Sequence, residues 1–220
     1  MWFVSRPKAM TTAAISVKPQ LSVLQITLIV ALGGLLMGYD AATVATSQMY
    51  FTQYFDFTAV QQGWVISSAG YGCFLGAISA GYLTSTLSRK YTLILAAVLY
   101  IISAAGSGIA DSLSVLVCFR IILGLSIGMI AMTSPMYIAE ISPPNIRGKM
   151  VTYHQLAMVV GFIFPFLISL FMSGGDTSYA DRVNFGWRLM FWFEIVPAVV
   201  FFAFLFAIPH SPRWLSLIHI

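Results

Sequence analysis

Six runs of mainly apolar residues divide this chain, near residues 21–46, 60–83, 91–110, 113–138, 150–173 and 187–208. Each reaches the length of about 20 residues that an α-helix needs to cross the hydrocarbon core of a bilayer. No water-facing shell can be built around them, because 59% of the chain is hydrophobic and only 8% charged, with a mean hydropathy of +0.89. The expected fold is an all-α integral membrane protein, a six-transmembrane-helix bundle. The alternating segments of about ten residues that mark an outer-membrane barrel are missing. Residues 1–20 read as a retained tail, since Arg6, Lys8 and Lys18 flank no short apolar core with a cleavage site. Residues 21–208 then form the membrane domain, and residues 209–220 leave it on the same side as the tail.

Lys and Arg outside the apolar runs are unevenly shared. The tail side holds Arg6, Lys8, Lys18, Arg89, Lys90, Arg147, Lys149 and Arg213, against Arg182 and Arg188 on the other. Cytoplasmic loops carry such an excess, so both termini are expected in the cytoplasm of a multi-pass protein in a plasma or bacterial inner membrane. Topology thereby accounts for the net charge of +4, and no nucleic-acid partner is implied. Cys73 and Cys118 sit in apolar runs without metal-ligand spacing and read as small apolar fillers. With no metal cluster or nucleotide loop, neither a cofactor nor an enzyme is expected. Ser107 and His154 suggest an intramembrane protease only faintly, because nothing brings them together.

The charges inside the runs carry the functional information. An unpaired carboxylate at mid-membrane costs about 2.5 to 3.5 kcal/mol on insertion scales, so Asp40 needs a partner, a proton or a wet cavity. Arg120 stands about seven residues into the fourth run, on the order of 10 Å below the outer surface at 1.5 Å per residue, and Asp40 lies at nearly the same depth. Glu194 adds a second acid in the sixth run. Gly34 with Gly38, Gly72 with Gly76, and Gly124 with Gly128 are spaced to let helix backbones touch. Gln155, in the inner half of the fifth run, has two donors and an acceptor, which suit either a polyhydroxylated ligand or an interhelical hydrogen bond. Pro143 and Pro144 end the fourth helix, residues 174–186 read as a flexible outer loop, and Trp187 and Trp192 as an interfacial belt.

Taken together, Gly38-Tyr39-Asp40, Arg120 followed by Gly124 and Gly128, the stretch from Pro135 through Glu140 to Arg147-Gly148, Gln155, and Ser211-Pro212-Arg213-Trp214-Leu215 form a recognisable set. Over residues 21–215 the chain resembles the N-terminal half of a sugar porter of the major facilitator superfamily, six of about twelve helices. The resemblance implies two inverted three-helix repeats and transport of a sugar or polyol. It implies a sugar contact at Gln155, with a second at Met37, and proton coupling through Asp40 and Arg120, with Glu194 in a less settled role. Gating would fall to a cytoplasmic cluster of Arg89, Glu140, Arg147, His210 and Arg213. The departures are Met37 where sugar-binding relatives often place Phe, Ser85 and Ser88 where an acidic residue or Asn and a Gly are usual, and His210 where Glu is usual. His210 is expected to loosen the cytoplasmic latch and favour inward-facing states. The expected function is therefore half of a proton-coupled sugar symporter, its partners being the sugar, protons, lipid and a second half. The alternatives are a passive facilitator, a non-transporting half or interaction protein, and a purely structural Asp40–Arg120 pair.

Overall fold

Six long helices emerge where the apolar runs lie, and the first question is where each one starts and stops. The computed structural model describes residues 21–174 and 178–209. Helix α1 spans Val23–Tyr54, α2 Ala59–Thr86, α3 Arg89–Gly108, α4 Leu113–Ile141, α5 Arg147–Gly174 and α6 Tyr179–Leu205. Among the described residues all regular structure is helical. Ser22 with Gln25 and Thr58 with Gln61 form reciprocal caps at the starts of α1 and α2, satisfying backbone donors that have no partner within the helix. Five of the six helices are long and apolar enough to cross a membrane; α2 has the length but dilutes its apolar residues with Gly, Ser and Thr.

Three boundaries differ from expectation. Helix α1 runs on to Tyr54 instead of ending near residue 46, because Tyr50 and Phe51 find an apolar partner in Trp187 and its neighbours beyond the first apolar run. The turn between α2 and α3 shrinks to Leu87 and Ser88. Residues 179–186, expected as loop, are already helical, with a π-helical stretch at Arg182–Gly186. Trp187 is correspondingly not interfacial: it is fully buried, packed edge-on to Phe51 and Phe191 and tilted against Tyr54 and Phe55. Hydropathy marks the part of a helix that lipid surrounds, while the backbone ladder continues wherever side chains find partners.

Helix packing follows the glycines. Helix α2 packs most extensively on α4 and α5 on α1. A Cβ on Gly72 or Gly76 would overlap the carbonyl oxygens of Ile121 and Leu125, and one on Gly124 or Gly128 those of Ala69 and Cys73. On the other side, Gly34 and Gly38 abut the carbonyls of His154 and Met158, and Gly161 that of Leu35. Backbones meet directly in both seams, gaining the dispersion contacts and weak polar contacts that replace hydrophobic drive in lipid. The result is a six-helix bundle of two inverted three-helix repeats.

Candidate functional site

The two central helices bring Asp40 and Arg120 into contact. Arg120 Nη1 donates to Asp40 Oδ1 at 2.5 Å, with side-chain exposures of 2% and 7%. At that burial the ion pair is largely withdrawn from water, and neither group can lose its partner without leaving a poorly solvated charge. The guanidinium also lies 5.8 Å from the centroid of the Phe191 ring on α6. Glu194, at a turn that interrupts α6, is fully buried beside this pair, with Thr43 and Tyr100 as its polar neighbours. Neither of its carboxyl oxygens makes a well-formed hydrogen bond. Tyr100 instead donates to the Leu36 carbonyl at 3.0 Å. A second buried acid thus lies close to the Asp40–Arg120 pair, beside Thr43 and Tyr100.

Asp40 also borders a pocket of about 310 Å³, which Met37, Cys73, Ile127, Met158 and Phe162 line together with three small residues of α1 and α2. Met37, the expected second sugar contact, therefore lines the same pocket as Asp40. Gln155 is exposed and does not line this pocket; it lies on the same α5 face as Met158 and Phe162, one and two turns away. Sequence reading missed Phe162, Met158 and Cys73, since a lone apolar side chain carries no signal of which cavity it will face. Ser107 and His154 lie on α3 and α5, which share no extensive packing, so no serine–histidine centre is assembled.

At the end of the bundle bearing Arg89 and Arg147, Arg89 donates through Nη2 to Glu140 Oε1 at 2.9 Å and through Nη1 to the Thr84 carbonyl at 2.8 Å. Arg147 shares a pocket of about 330 Å³ with Glu140. Lys90 Nζ donates to the carbonyls of Phe206 and Ile208 at 3.0 and 2.7 Å, satisfying the C-terminal end of α6. The Tyr137 hydroxyl donates to the Pro209 carbonyl at 2.6 Å. His210 and Arg213, the remaining expected gating residues, lie outside the described residues. Ser88, where the resemblance implies glycine, has φ of 86°, a fully buried side chain and an unpartnered hydroxyl. At the opposite end Arg188 bonds to the Gly108 carbonyl and to Asp111 Oδ1, both at 3.0 Å, and packs on the rings of Tyr54 and Trp187.

The chain as a whole is similar to known proteins. Residues 26–219 match the sugar (and other) transporter family. The arabinose-proton symporter of Escherichia coli K12 is 35% identical over 186 residues, covering 84% of this chain and 38% of that protein. The D-xylose-proton symporter of the same strain is 36% identical, over 88% of this chain and 44% of that protein. A glucose transport protein of Synechocystis is 37% identical over 88% and 42%. The proton:xylose symporter XylE bound to 6-bromo-6-deoxy-D-glucose superposes with a TM-score of 0.83 at 32% identity, covering 88% of this chain and 46% of that one. Its inward-open form gives 0.82 at 33%, covering 89% and 50%. This chain thus spans less than half the length of the curated relatives it matches. It is a multi-pass membrane protein that belongs to the sugar porter family of the major facilitator superfamily and corresponds to the N-terminal half of its members.

Proposed function

We propose that this chain is the N-terminal half of a proton-coupled transporter for a monosaccharide or polyol, working by alternating access against a second six-helix bundle. The observation that carries the reading is the buried Asp40–Arg120 contact, with Asp40 at the edge of the pocket that also holds Met37. A proton reaching Asp40 neutralises it and frees the guanidinium, which removes an electrostatic tie between α1 and α4. Glu194 completes the balance: two carboxylates and one guanidinium are neutral together when one proton is present. Relatives named as arabinose-, D-xylose- and galactose-proton symporters support the substrate class. Gln155 and Met37 contribute to the sugar site. Both termini face the cytoplasm, where Arg89, Glu140, Arg147, His210 and Arg213 form the gate.

Asp40→Asn in the complete two-bundle transporter tests this reading. Proton-driven accumulation is expected to disappear while sugar exchange across the membrane continues. Unchanged accumulation would remove the coupling role. Loss of folded protein would make the pair a structural staple, and a wild-type protein that equilibrates sugar without accumulating it would be a passive facilitator.

A further inference from the structure

Helices α5 and α6 both pack on α1 but scarcely on each other, and the gap between them is a groove floored by α1. Leu32, Leu35 and Tyr39, spaced along one helical stripe, form that floor. Phe164 and Ile168 of α5 stand on one side, Val196 and Val200 of α6 on the other. The groove encloses about 440 Å³, within the range of roughly 300–1,000 Å³ usual for ligand sites. All three helices are long and apolar enough to cross a membrane. Ile163, Leu167 and Val199, next in sequence to the wall residues, are exposed and apolar, so the medium that meets the groove is hydrocarbon.

The walls select what can lie there. A sugar or an ion finds little to hold, because the Tyr39 hydroxyl is the only polar side-chain group on them. A helix of another chain fits no better. Helices in lipid join where small residues let backbones touch, as Gly38 and Gly161 do along the α1–α5 seam, and the groove is lined by no glycine, alanine or serine. A lipid acyl chain meets both conditions. It is wholly apolar, and it is slender and flexible enough to run between branched and aromatic side chains, gaining dispersion contact on three sides where a smooth helix face offers one.

Tyr39 joins this groove to the charged layer. Its ring is buried and stacks on Phe164, with centroids 6.5 Å apart and an interplanar angle of 19°. Asp40 follows it in the chain, and Glu194 is its charged neighbour. Whatever presses on the Tyr39 and Phe164 rings therefore presses on the support of the Asp40–Arg120 pair.

We propose that the groove between α5 and α6 holds one acyl chain of a bilayer phospholipid, which braces Tyr39 and Phe164 behind the ion pair. The test is native mass spectrometry of the full chain, released from detergent after incubation with dioleoylphosphatidylcholine, with size-exclusion chromatography to follow folding. One phospholipid per chain is expected to stay bound. Val196→Phe fills the groove from α6, and because Val196 is 62% exposed the change disturbs no core packing. It is expected to weaken retention at least about tenfold, since the ring occupies the space of the acyl chain. Val200→Phe is expected to do the same from an independent position. Leu170→Phe, at an exposed α5 site outside the groove, is expected to leave retention unchanged. Diphytanoylphosphatidylcholine, with the same headgroup on methyl-branched chains, is expected to bind several-fold more weakly. The brace has its own readout: added dioleoylphosphatidylcholine should raise the unfolding temperature of the wild type and not that of Val196→Phe.

No bound lipid, or retention that survives both groove variants, overturns the site. Equal retention of the two lipids would put the contact at the headgroup and overturn the acyl-chain assignment. Paired chains that Val196→Phe separates would show a second copy in the groove in place of lipid. Equal rises in unfolding temperature for wild type and Val196→Phe would remove the brace.

Discussion

The two three-helix repeats share their contact surfaces and differ in their charges. Gly34 and Gly38 of α1 are matched by Gly124 and Gly128 of α4, and Gly161 seats on the Leu35 carbonyl as Gly76 seats on that of Leu125. Two residues beyond Gly38 stands Asp40, but two beyond Gly128 stands Ile130; four before Gly124 stands Arg120, but four before Gly34 stands Val30. All four of these side chains are buried. The seam that holds the bundle together is therefore duplicated, while the ion pair exists once, formed by unlike positions on symmetry-related helices. Close packing is a requirement on both halves of the fold, whereas a charge in hydrocarbon persists only where one specific partner meets it.

Equal damage to the two seams would sharpen that comparison, and it is where the largest effect is expected. Gly38→Val and Gly128→Val each drive a branched side chain into a neighbouring carbonyl, a clash that neither backbone can relieve without separating the helices. Both variants are expected to lose nearly all monodisperse protein on detergent extraction. If Gly128→Val folded normally while Gly38→Val did not, the seams would not be equivalent.

The charged layer should break the equivalence. Arg120→Met leaves Asp40 and Glu194 buried without a counter-charge and is expected to cost about 3–5 kcal/mol. Ile130→Met, at the position that mirrors Asp40, keeps an apolar side chain and is expected to cost less than about 1.5 kcal/mol. Thermal unfolding in detergent reads both. Adding Asp40→Asn to Arg120→Met should recover part of the loss, because one uncompensated charge is removed.

Much of this arrangement was legible before any coordinates. The depth of Asp40 and Arg120 could be counted along helices of fixed rise, and the glycine pairs announced close packing by spacing alone. Glu194 was visible as an acid in an apolar run, but its place beside the pair depends on how far α6 turns after its π-helical start, which residue counting cannot give. Trp187 misled for a related reason: its chemistry suits an interface, and only the extension of α1 to Tyr54 creates the aromatic cluster that buries it. Phe162 was silent because facing a cavity is a property of the α1–α5 crossing and not of the residue.

The ends of the bundle give a third, smaller contrast. Ser88 combines φ of 86° with ψ of 156° and a buried, unpartnered hydroxyl, a conformation that is otherwise nearly confined to glycine and costs a residue with a Cβ about 1–3 kcal/mol. Glycine removes that strain and the orphan hydroxyl, and gives back some stability through a freer unfolded chain. Ser88→Gly is expected to stabilise the protein by about 1 kcal/mol, read as a higher unfolding temperature. A lower one would show that the hydroxyl has a partner worth more than the strain.

The weakest expected effect lies at the opposite end, in the pair Arg188 makes with Asp111. Its distance, 3.0 Å, is close to the 2.9 Å of the Arg89–Glu140 pair, yet the Asp111 side chain is 87% exposed and that of Glu140 only 7%. Water already solvates Asp111, so replacing its charge forfeits little, and exposed pairs contribute about 0.2–1 kcal/mol at most. Arg188 keeps its bond to the Gly108 carbonyl and its two ring contacts in any case. Asp111→Asn is therefore expected to shift the melting temperature less than Glu140→Gln, where Arg89 would lose a charged partner in a confined site. Similar shifts would mean that burial does not set the strength of these end pairs, and that Arg188 depends on Asp111 more than on the rings around it.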